Sequence, residues 1–344
     1  MSRRRWAIVA LSFFAAIAMS TAVVWRGWKH DGSAPSLPWY VHVMAFLVFA
    51  FEVLARATKV QWGAKALRIP LRWMTALRVS LGGDFGASIT PSRAGAEPAR
   101  FLMLKEASVG TGSALLILFF ELALELVSLV IFSAFLAFFT EGGGLAGGMI
   151  GVIGGYALFL IAIAVAAFFI ASQQTIGPPP RWLRVMGIHA GRWRSIRRAL
   201  RHVRTGLDGL RRARPGAMAV AFLLSIAHVA LRIAVLPVIV LGSGMTAPLM
   251  PLIVWPLLLL YGGALAPAPA GGGAVEFAFA VGLRKVLDPA EMAGALIWWR
   301  FYSFYMYLIA GAIIAGTTVL RAINGAGRRP ASHDTTPPVH PGVG

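Results

Sequence analysis

The 344-residue chain has no cysteine, and its 13 Asp and Glu are outnumbered by 32 Lys and Arg. Without cysteine there is no disulfide, no thiolate metal site and no cysteine nucleophile, and the redox compartment goes unread. The chain also lacks a His-rich metal spacing and a Gly-x-Ser-x-Gly turn, so the common hydrolase and metalloenzyme signatures are missing. Charged residues make up only 13% of the chain, against 58% hydrophobic residues. Apolar runs of about 20 residues recur, each long enough for a hydrocarbon core of about 30 Å. Ten-residue alternating segments, which a membrane barrel would need, are absent. The composition therefore reads as an all-α polytopic membrane protein, multi-pass in the cell (cytoplasmic) membrane.

A formal net charge of +19 would suggest nucleic acid in a soluble protein. Here the basic residues gather in particular loops, as topology alone produces, and no nucleic-acid partner is expected. The start, Ser2-Arg3-Arg4-Arg5 before an apolar run, resembles an export signal. The run Trp6–Val24 is longer than a signal core and is read as an uncleaved first span with a cytoplasmic basic flank. Trp39–Ala55 is expected to return, landing on a cytoplasmic basic segment with Arg56, Lys59, Lys65, Arg68 and Arg72. Further spans are expected at Ser113–Phe139, Leu145–Ala171, Gly216–Leu241 and Met292–Leu320. The eleven arginines of Ser172–Pro215 assign that stretch to the cytoplasm, which also receives both termini. The Pro/Gly-rich tail, 321–344, reads as disordered.

Two segments, 73–104 and 251–283, do not fit as spans. Each has a short apolar arm, a Pro/Gly break and a second arm, and the flanking charges put both ends on one side. The breaks are "ITPSRAGAEPAR" (89–100) and "LAPAPAGGGAVE" (265–276). Irregular backbone at membrane depth is tolerated only where protein buries it or it lines a watery cavity, so both read as re-entrant helical hairpins. The expected architecture is six spans and two hairpins in an inverted repeat, with half-repeats 1–140 and 141–320. Aligning Pro91 with Pro267 sets Gly95 on Gly271, with Glu97 and Glu276 following. Paired interrupted segments of this kind mark the binding site of a transporter.

An ionisable side chain at mid-membrane costs roughly 2.5–3.5 kcal/mol on insertion scales, so each needs a partner or a purpose. Arg78, Asp84, Arg93, Glu97 and Arg100 lie in the first hairpin. Glu121 and Glu125 share a helical face, as do His228 and Arg232. Glu276 follows the second break, and Arg300 lies in the final apolar stretch. The plainer reading is mutual pairing: Glu97 with Arg100, Arg78 with Asp84, and Glu52 with Arg56 near a membrane end where long side chains reach out. The functional reading is a headgroup site. Arginines beside the helix starts at Thr90, Pro91, Gly95, Pro269, Gly271, Gly272 and Gly273 suit a phosphate. Candidate substrate-binding residues are Arg93, Glu97, Arg100, Glu121, Glu125, Glu276 and Arg300. The carboxylates could neutralise arginines, carry protons or bind a cationic headgroup, and residue types alone do not choose. No catalytic residue, metal or cofactor is expected.

The arginine-rich stretch 181–214 carries an apolar seam: Trp193, Ile196, Leu200, Val203, Leu207 and Leu210. Arginines fill the other faces. It reads as an amphipathic helix whose 192–212 portion meets an anionic lipid surface, with a coiled-coil partner as the alternative. Homo-oligomerisation stays open.

"GGDFGASITPSRAGAEPARFLML" with "FFELALELVSL" resembles the signature region of the flippase-like family that includes the transmembrane region of lysylphosphatidylglycerol synthases. "LAPAPAGGGAVEFAFAVGL" and "ALIWWRFYSFYMYLIAGA" resemble its second-half signature, and the likeness runs from about residue 75 to 320. Where the family often has Glu-Arg and a later Asp, this chain has Glu121-Leu122 and Glu125, so no role can rest on that arginine. Only a short tail follows Leu320. The resemblance therefore implies a lipid-translocating unit without aminoacyl transfer. The alternatives are an intramembrane enzyme acting on lipid-linked groups, with carboxylates as acid and base, and a non-catalytic subunit that recruits a cytoplasmic partner.

Overall fold

The computed structural model describes residues 36–90, 93–139, 213–262 and 273–325, with isolated positions at 25, 151, 154, 155 and 193. The expected spans Trp6–Val24 and Leu145–Ala171, the bulk of the 181–214 helix, Pro91, residues 265–272 and nearly all of the tail lie outside the described residues. Among the described residues every regular element is helical.

Helix α1 (Trp39–Ala66) follows Pro38 and is the longest departure from expectation. Its apolar pattern was expected to stop at Ala55, yet the helix continues eleven residues further. Arg56 and Lys59 lie inside it and are buried, so they are not loop residues. The helix ends in a Schellman motif: Arg68 N–H bonds the Lys65 carbonyl and Ile69 N–H bonds the Ala64 carbonyl. Pro70 then blocks any continuation.

Helices α2 (Trp73–Ser88) and α3 (Ala96–Glu106) form an antiparallel hairpin. Small residues allow the approach. A Cβ on Gly86 would lie 2.5 Å from the Gly95 carbonyl oxygen, and one on Gly95 would lie 2.6 Å from the Gly86 oxygen. Thr90 secures the turn, donating to the Gly86 carbonyl at 2.7 Å and accepting from the Gly95 N–H at 2.8 Å. Arg93, at φ 54°, turns the chain through the left-handed region. Pro98 sits in the first turn of α3, where its missing N–H costs nothing.

Helix α4 (Thr111–Phe139) and α5 (Pro215–Gly242) are long and apolar, α5 opening with proline at its first position. The Arg214 N–H bonds the Ala66 carbonyl, which ties the start of α5 to the end of α1, and these two helices form the most extensive pairing in the described fold. Helices α6 (Leu249–Gly262) and α7 (Ala274–Leu283) pack together, with Gly282 directly against the Trp255 ring. At about 1.5 Å per residue neither reaches across a hydrocarbon core. Helix α8 (Pro289–Arg300) passes through a π-helical turn, Phe301–Tyr305, into α9 (Met306–Gly325). Helix α9 lies on α2 so closely that a Cβ on Gly311 would be 2.5 Å from the Leu81 carbonyl oxygen.

Among the described residues four stretches are long and apolar enough to cross a membrane: Trp39–Ala66, Thr111–Leu136, Pro215–Gly242 and Pro289–Thr318. Their apolar outer faces, Phe46, Phe51, Phe135, Leu223 and Ile313 among them, are exposed, as expected of surfaces solvated by lipid. Their inner faces surround the charged residues described next.

Candidate functional site

Helix α1 supplies Glu52, Arg56 and Lys59, spaced four and three apart and so aligned on one face. All three are almost fully buried. Glu52 does not reach toward a membrane surface. It receives the Tyr307 hydroxyl at 2.8 Å and the Arg232 guanidinium at 3.2 Å, and Arg56 Nε lies 3.5 Å away. Arg56 donates in turn to Asp84 of α2. Asp84 also faces Arg232 and Arg93, each at 3.9 Å. The Tyr307 ring has the Arg232 guanidinium 4.6 Å from its centroid and that of Arg56 at 5.4 Å. Two carboxylates, two arginines and a tyrosine from α1, α2, α5 and α9 thus form one knot. Asp84 belongs to it, whereas Arg78 pairs with Glu106 at 2.8 Å and with Thr318 at 3.1 Å; the two are not partners.

A second, looser group adjoins the first. Lys59 Nζ lies 3.6 Å from Glu121 and 3.9 Å from Glu125, which α4 presents on one face. Arg100 of α3 lies 3.5 Å from Glu121 and donates to Glu97 at 3.1 Å. Most of these spacings are Coulombic contacts too long for good hydrogen bonds. Lys59 Nζ and both Glu121 oxygens make no direct hydrogen bond within the described structure.

The third group joins the second half of the chain. Glu276, in the first turn of α7, receives Arg300 Nε at 2.7 Å and Nη2 at 2.6 Å. Its other oxygen accepts the Gly273 N–H at 2.7 Å. Gly273 has φ 80°, a conformation that favours glycine. Arg300 immediately precedes the π-helical turn, an irregularity frequent at functional sites.

Across these groups Arg56, Lys59, Arg93, Arg100, Arg232 and Arg300 face Glu52, Asp84, Glu97, Glu121, Glu125 and Glu276. The formal charges balance. Such balance is required, because each buried ion forfeits several kcal/mol of hydration that only a close partner returns.

A cavity of about 40 Å³ opens where the turn of the first hairpin meets α6, α7 and the π-helical turn. Its polar lining is Asp84, Ser88, Arg93, Arg232, Arg300, Ser303 and Tyr307, and Leu259, Leu260, Val275 and Phe304 form apolar walls. Within this lining three arginines face one carboxylate. Arg93 is held least tightly of them: its contacts among the described residues are the Asp84 carboxylate at 3.9 Å and the Leu260 carbonyl at 3.5 Å, and its side chain is 32% exposed. The volume holds a few waters.

The sequence-derived candidates therefore divide. Arg93 and Arg300 line the cavity, and Glu276 stands behind Arg300. Arg100, Glu97, Glu121 and Glu125 form the adjoining looser group. The N–H groups of Gly95 and Gly273 are engaged by Thr90 and Glu276, so these two helix starts have those amides satisfied internally. Pro91, Pro269, Gly271 and Gly272 lie outside the described residues. Sequence reasoning passed over Asp84, Arg232, Glu52, Arg56 and Tyr307 as members of one site. The available signal was the repeated four-residue spacing of ionisable groups inside apolar helices, in Glu52 with Arg56 and in His228 with Arg232.

A helical, multi-pass membrane protein built around a charge-balanced ionic core is the class that this fold and site define. The profile of the family described as the lysylphosphatidylglycerol synthase TM region matches residues 6–311, and the chain belongs to that family. A search of curated proteins gives no significant match.

Proposed function

We propose that this protein is a transporter that moves a lipid, or a lipid-linked headgroup, across the cell membrane through the cavity between its two hairpins. The observation that carries this reading is the buried ionic core around that cavity. Nine of its twelve charged side chains are buried in the apolar bundle, a poor way to add stability, since a packed hydrophobic equivalent does as well or better. They suit a pathway for a charged group. Family membership supports a lipid-related substrate.

In this proposal α2–α3 and α6–α7 are re-entrant, six helices span, both termini are cytoplasmic, and the halves 1–140 and 141–320 are inverted repeats. Arg93, loosely held, makes first contact with a headgroup phosphate. Arg232 and Arg300 follow as the hairpins part, the phosphate taking the place of Asp84 and Glu276 as their counter-ion. Exchanging one anion for another keeps every guanidinium paired, and Asp84 retains Arg56 as its partner. The looser group of Lys59, Arg100, Glu97, Glu121 and Glu125 then accommodates the headgroup beyond the phosphate. No bond is made or broken, and the protein is not an enzyme on this reading. The 192–212 helix would lie on an anionic lipid surface.

The test is a proteoliposome assay with headgroup-labelled lipids: phosphatidylglycerol, an aminoacylated phosphatidylglycerol and a polyprenyl-phosphate sugar. At least one should cross faster than in protein-free vesicles and faster than zwitterionic phosphatidylcholine. Equal rates for all, or a chemically altered headgroup in the recovered lipid, would refute transport.

A further inference from the structure

Hydrogen bonding sets the looser group apart from the rest of the core. Glu52, Asp84, Glu97 and Glu276 each accept at least one hydrogen bond from a core partner. Glu121 accepts none among the described residues: both of its oxygens are buried and unmet, as are Lys59 Nζ and Arg100 Nε. The three side chains are at least nine-tenths buried, Lys59 and Glu121 almost completely. Native structures keep few unmet buried polar atoms, and here four of them meet at one junction.

The junction is built. Arg100 lies across Gly83 of α2, where any Cβ would collide with its Nε, so the glycine makes room for the guanidinium. Glu121 sits between two cations, with Lys59 at 3.6 Å and Arg100 at 3.5 Å. Those spacings are too long for good direct bonds, yet an oxygen placed beside each pair reaches both members at about 2.8 Å. Unmet groups continue toward the cavity. The Ser303 hydroxyl in its lining makes no hydrogen bond among the described residues, and neither does the hydroxyl of Tyr261 on α6. Tyr261 is within electrostatic range of Arg93 on the cavity side and of Glu125 in the looser group.

The donors and acceptors decide what suits the junction. Lys59 and Arg100 offer only N–H donors, and the Glu121 carboxylate only acceptors. An ammonium would bond Glu121 but face both cations and leave their N–H groups unmet. A second anion would face Glu97, Glu121 and Glu125. A hydroxyl accepts from a cation and donates to a carboxylate, so it serves both sides with no charge of its own. Water does the same, and a substrate displaces water without loss when it brings hydroxyls in its place.

Resting on the transport reading above, we propose that the headgroup carried is a neutral polyol, a glycerol or a sugar, joined to its lipid through one phosphate. Arg93, Arg232 and Arg300 hold the phosphate, and Lys59, Arg100 and Glu121 hold the hydroxyls.

The test is titration of delipidated protein in detergent with short-chain lipids, read by native mass spectrometry. Phosphatidylglycerol and phosphatidylethanol carry the same phosphodiester charge, and only the first has free hydroxyls. Hydrogen bonds to charged partners should make phosphatidylglycerol the tighter ligand by roughly tenfold, with aminoacylated phosphatidylglycerol below it. A polyprenyl-phosphate hexose in a parallel titration separates the two polyols, the tighter binder naming the headgroup. Glu121→Gln keeps the shape and leaves Lys59 facing Glu125 and Arg100 bonded to Glu97. In that variant the affinity ratio of the polyol lipid to phosphatidylethanol should fall to within about twofold. Arg100→Lys keeps the charge and removes Nε, so it should lower the ratio in part; it carries the test if Glu121→Gln melts early. Equal binding of polyol lipids and phosphatidylethanol, tighter binding of the aminoacylated lipid, or a wild-type ratio in both variants would overturn the polyol assignment. Any of these leaves the transport reading standing, whereas a polyol preference without translocation in proteoliposomes does the reverse. Absence of saturable binding by every lipid would overturn both.

Discussion

Asp84 and Arg93 share a cavity and have opposite weights in the fold. Asp84 is buried against Arg56, with Arg232 and Arg93 at longer range. Replacing it with Asn leaves two buried guanidinium groups short of a counter-charge, and breaking a buried pair in this way costs about 3–5 kcal/mol. Asp84→Asn should therefore lower the melting temperature in detergent sharply. Among the described residues Arg93 makes only long contacts and is partly exposed, so Arg93→Gln should cost under about 1 kcal/mol and leave the melting temperature nearly unchanged. Tyr307→Phe falls between them. It removes the hydroxyl donor to Glu52 and leaves that buried oxygen unmet, for about 1–3 kcal/mol. A thermal-shift series on the three variants should rank Asp84→Asn, Tyr307→Phe, Arg93→Gln in falling severity; a large loss for Arg93→Gln would make it a structural residue.

At the scale of elements, the hairpins depend on close backbone approach and on one ion pair. A methyl group at Gly86 or Gly311 meets a carbonyl oxygen at 2.5 Å, so Gly86→Ala and Gly311→Ala should each destabilise by about 1–3 kcal/mol, measurable by the same thermal series. Glu276 with Arg300 ties α7 to the start of the π-helical turn. Glu276→Gln and Arg300→Gln should each destabilise more than the double variant does relative to its singles, because the double leaves no bare charge. Strict additivity in that cycle would show that the pair is not coupled. The elements themselves were largely legible in the sequence. The apolar runs gave α4, α5 and the final crossing, and the prolines and glycines near residues 91 and 95 marked the first turn. The end of α1 was not legible, because Arg56 and Lys59 have the composition of a loop. Their partners, Asp84 and Glu121, are far along the chain. Charge reads as exposure until a partner cancels it, and the partner is a tertiary fact. The same reason hid Arg232 and Tyr307, which meet Glu52 across α5 and α9. Chain breaks or isolated charge flagged Arg93 and Arg300, which line the cavity, and Glu276 locally.

For the whole molecule, the transport proposed above would make the ionic core in its apolar bundle a pathway held shut. The described cavity of about 40 Å³ is too small for a headgroup, so the proposed transport needs α6 and α7 to separate from the α2–α3 turn, with Arg93 following the ligand. The most direct test is the initial rate of headgroup-labelled phosphatidylglycerol translocation in proteoliposomes containing wild type, Arg93→Gln or Arg93→Lys, with helicity and melting temperature measured on the same preparations. The expected result is a rate lowered at least about tenfold by Arg93→Gln, the equivalent of one lost charge-assisted contact, partial recovery with Arg93→Lys, and unchanged folding in both. A rate in Arg93→Gln equal to wild type, with the fold intact, would contradict the account.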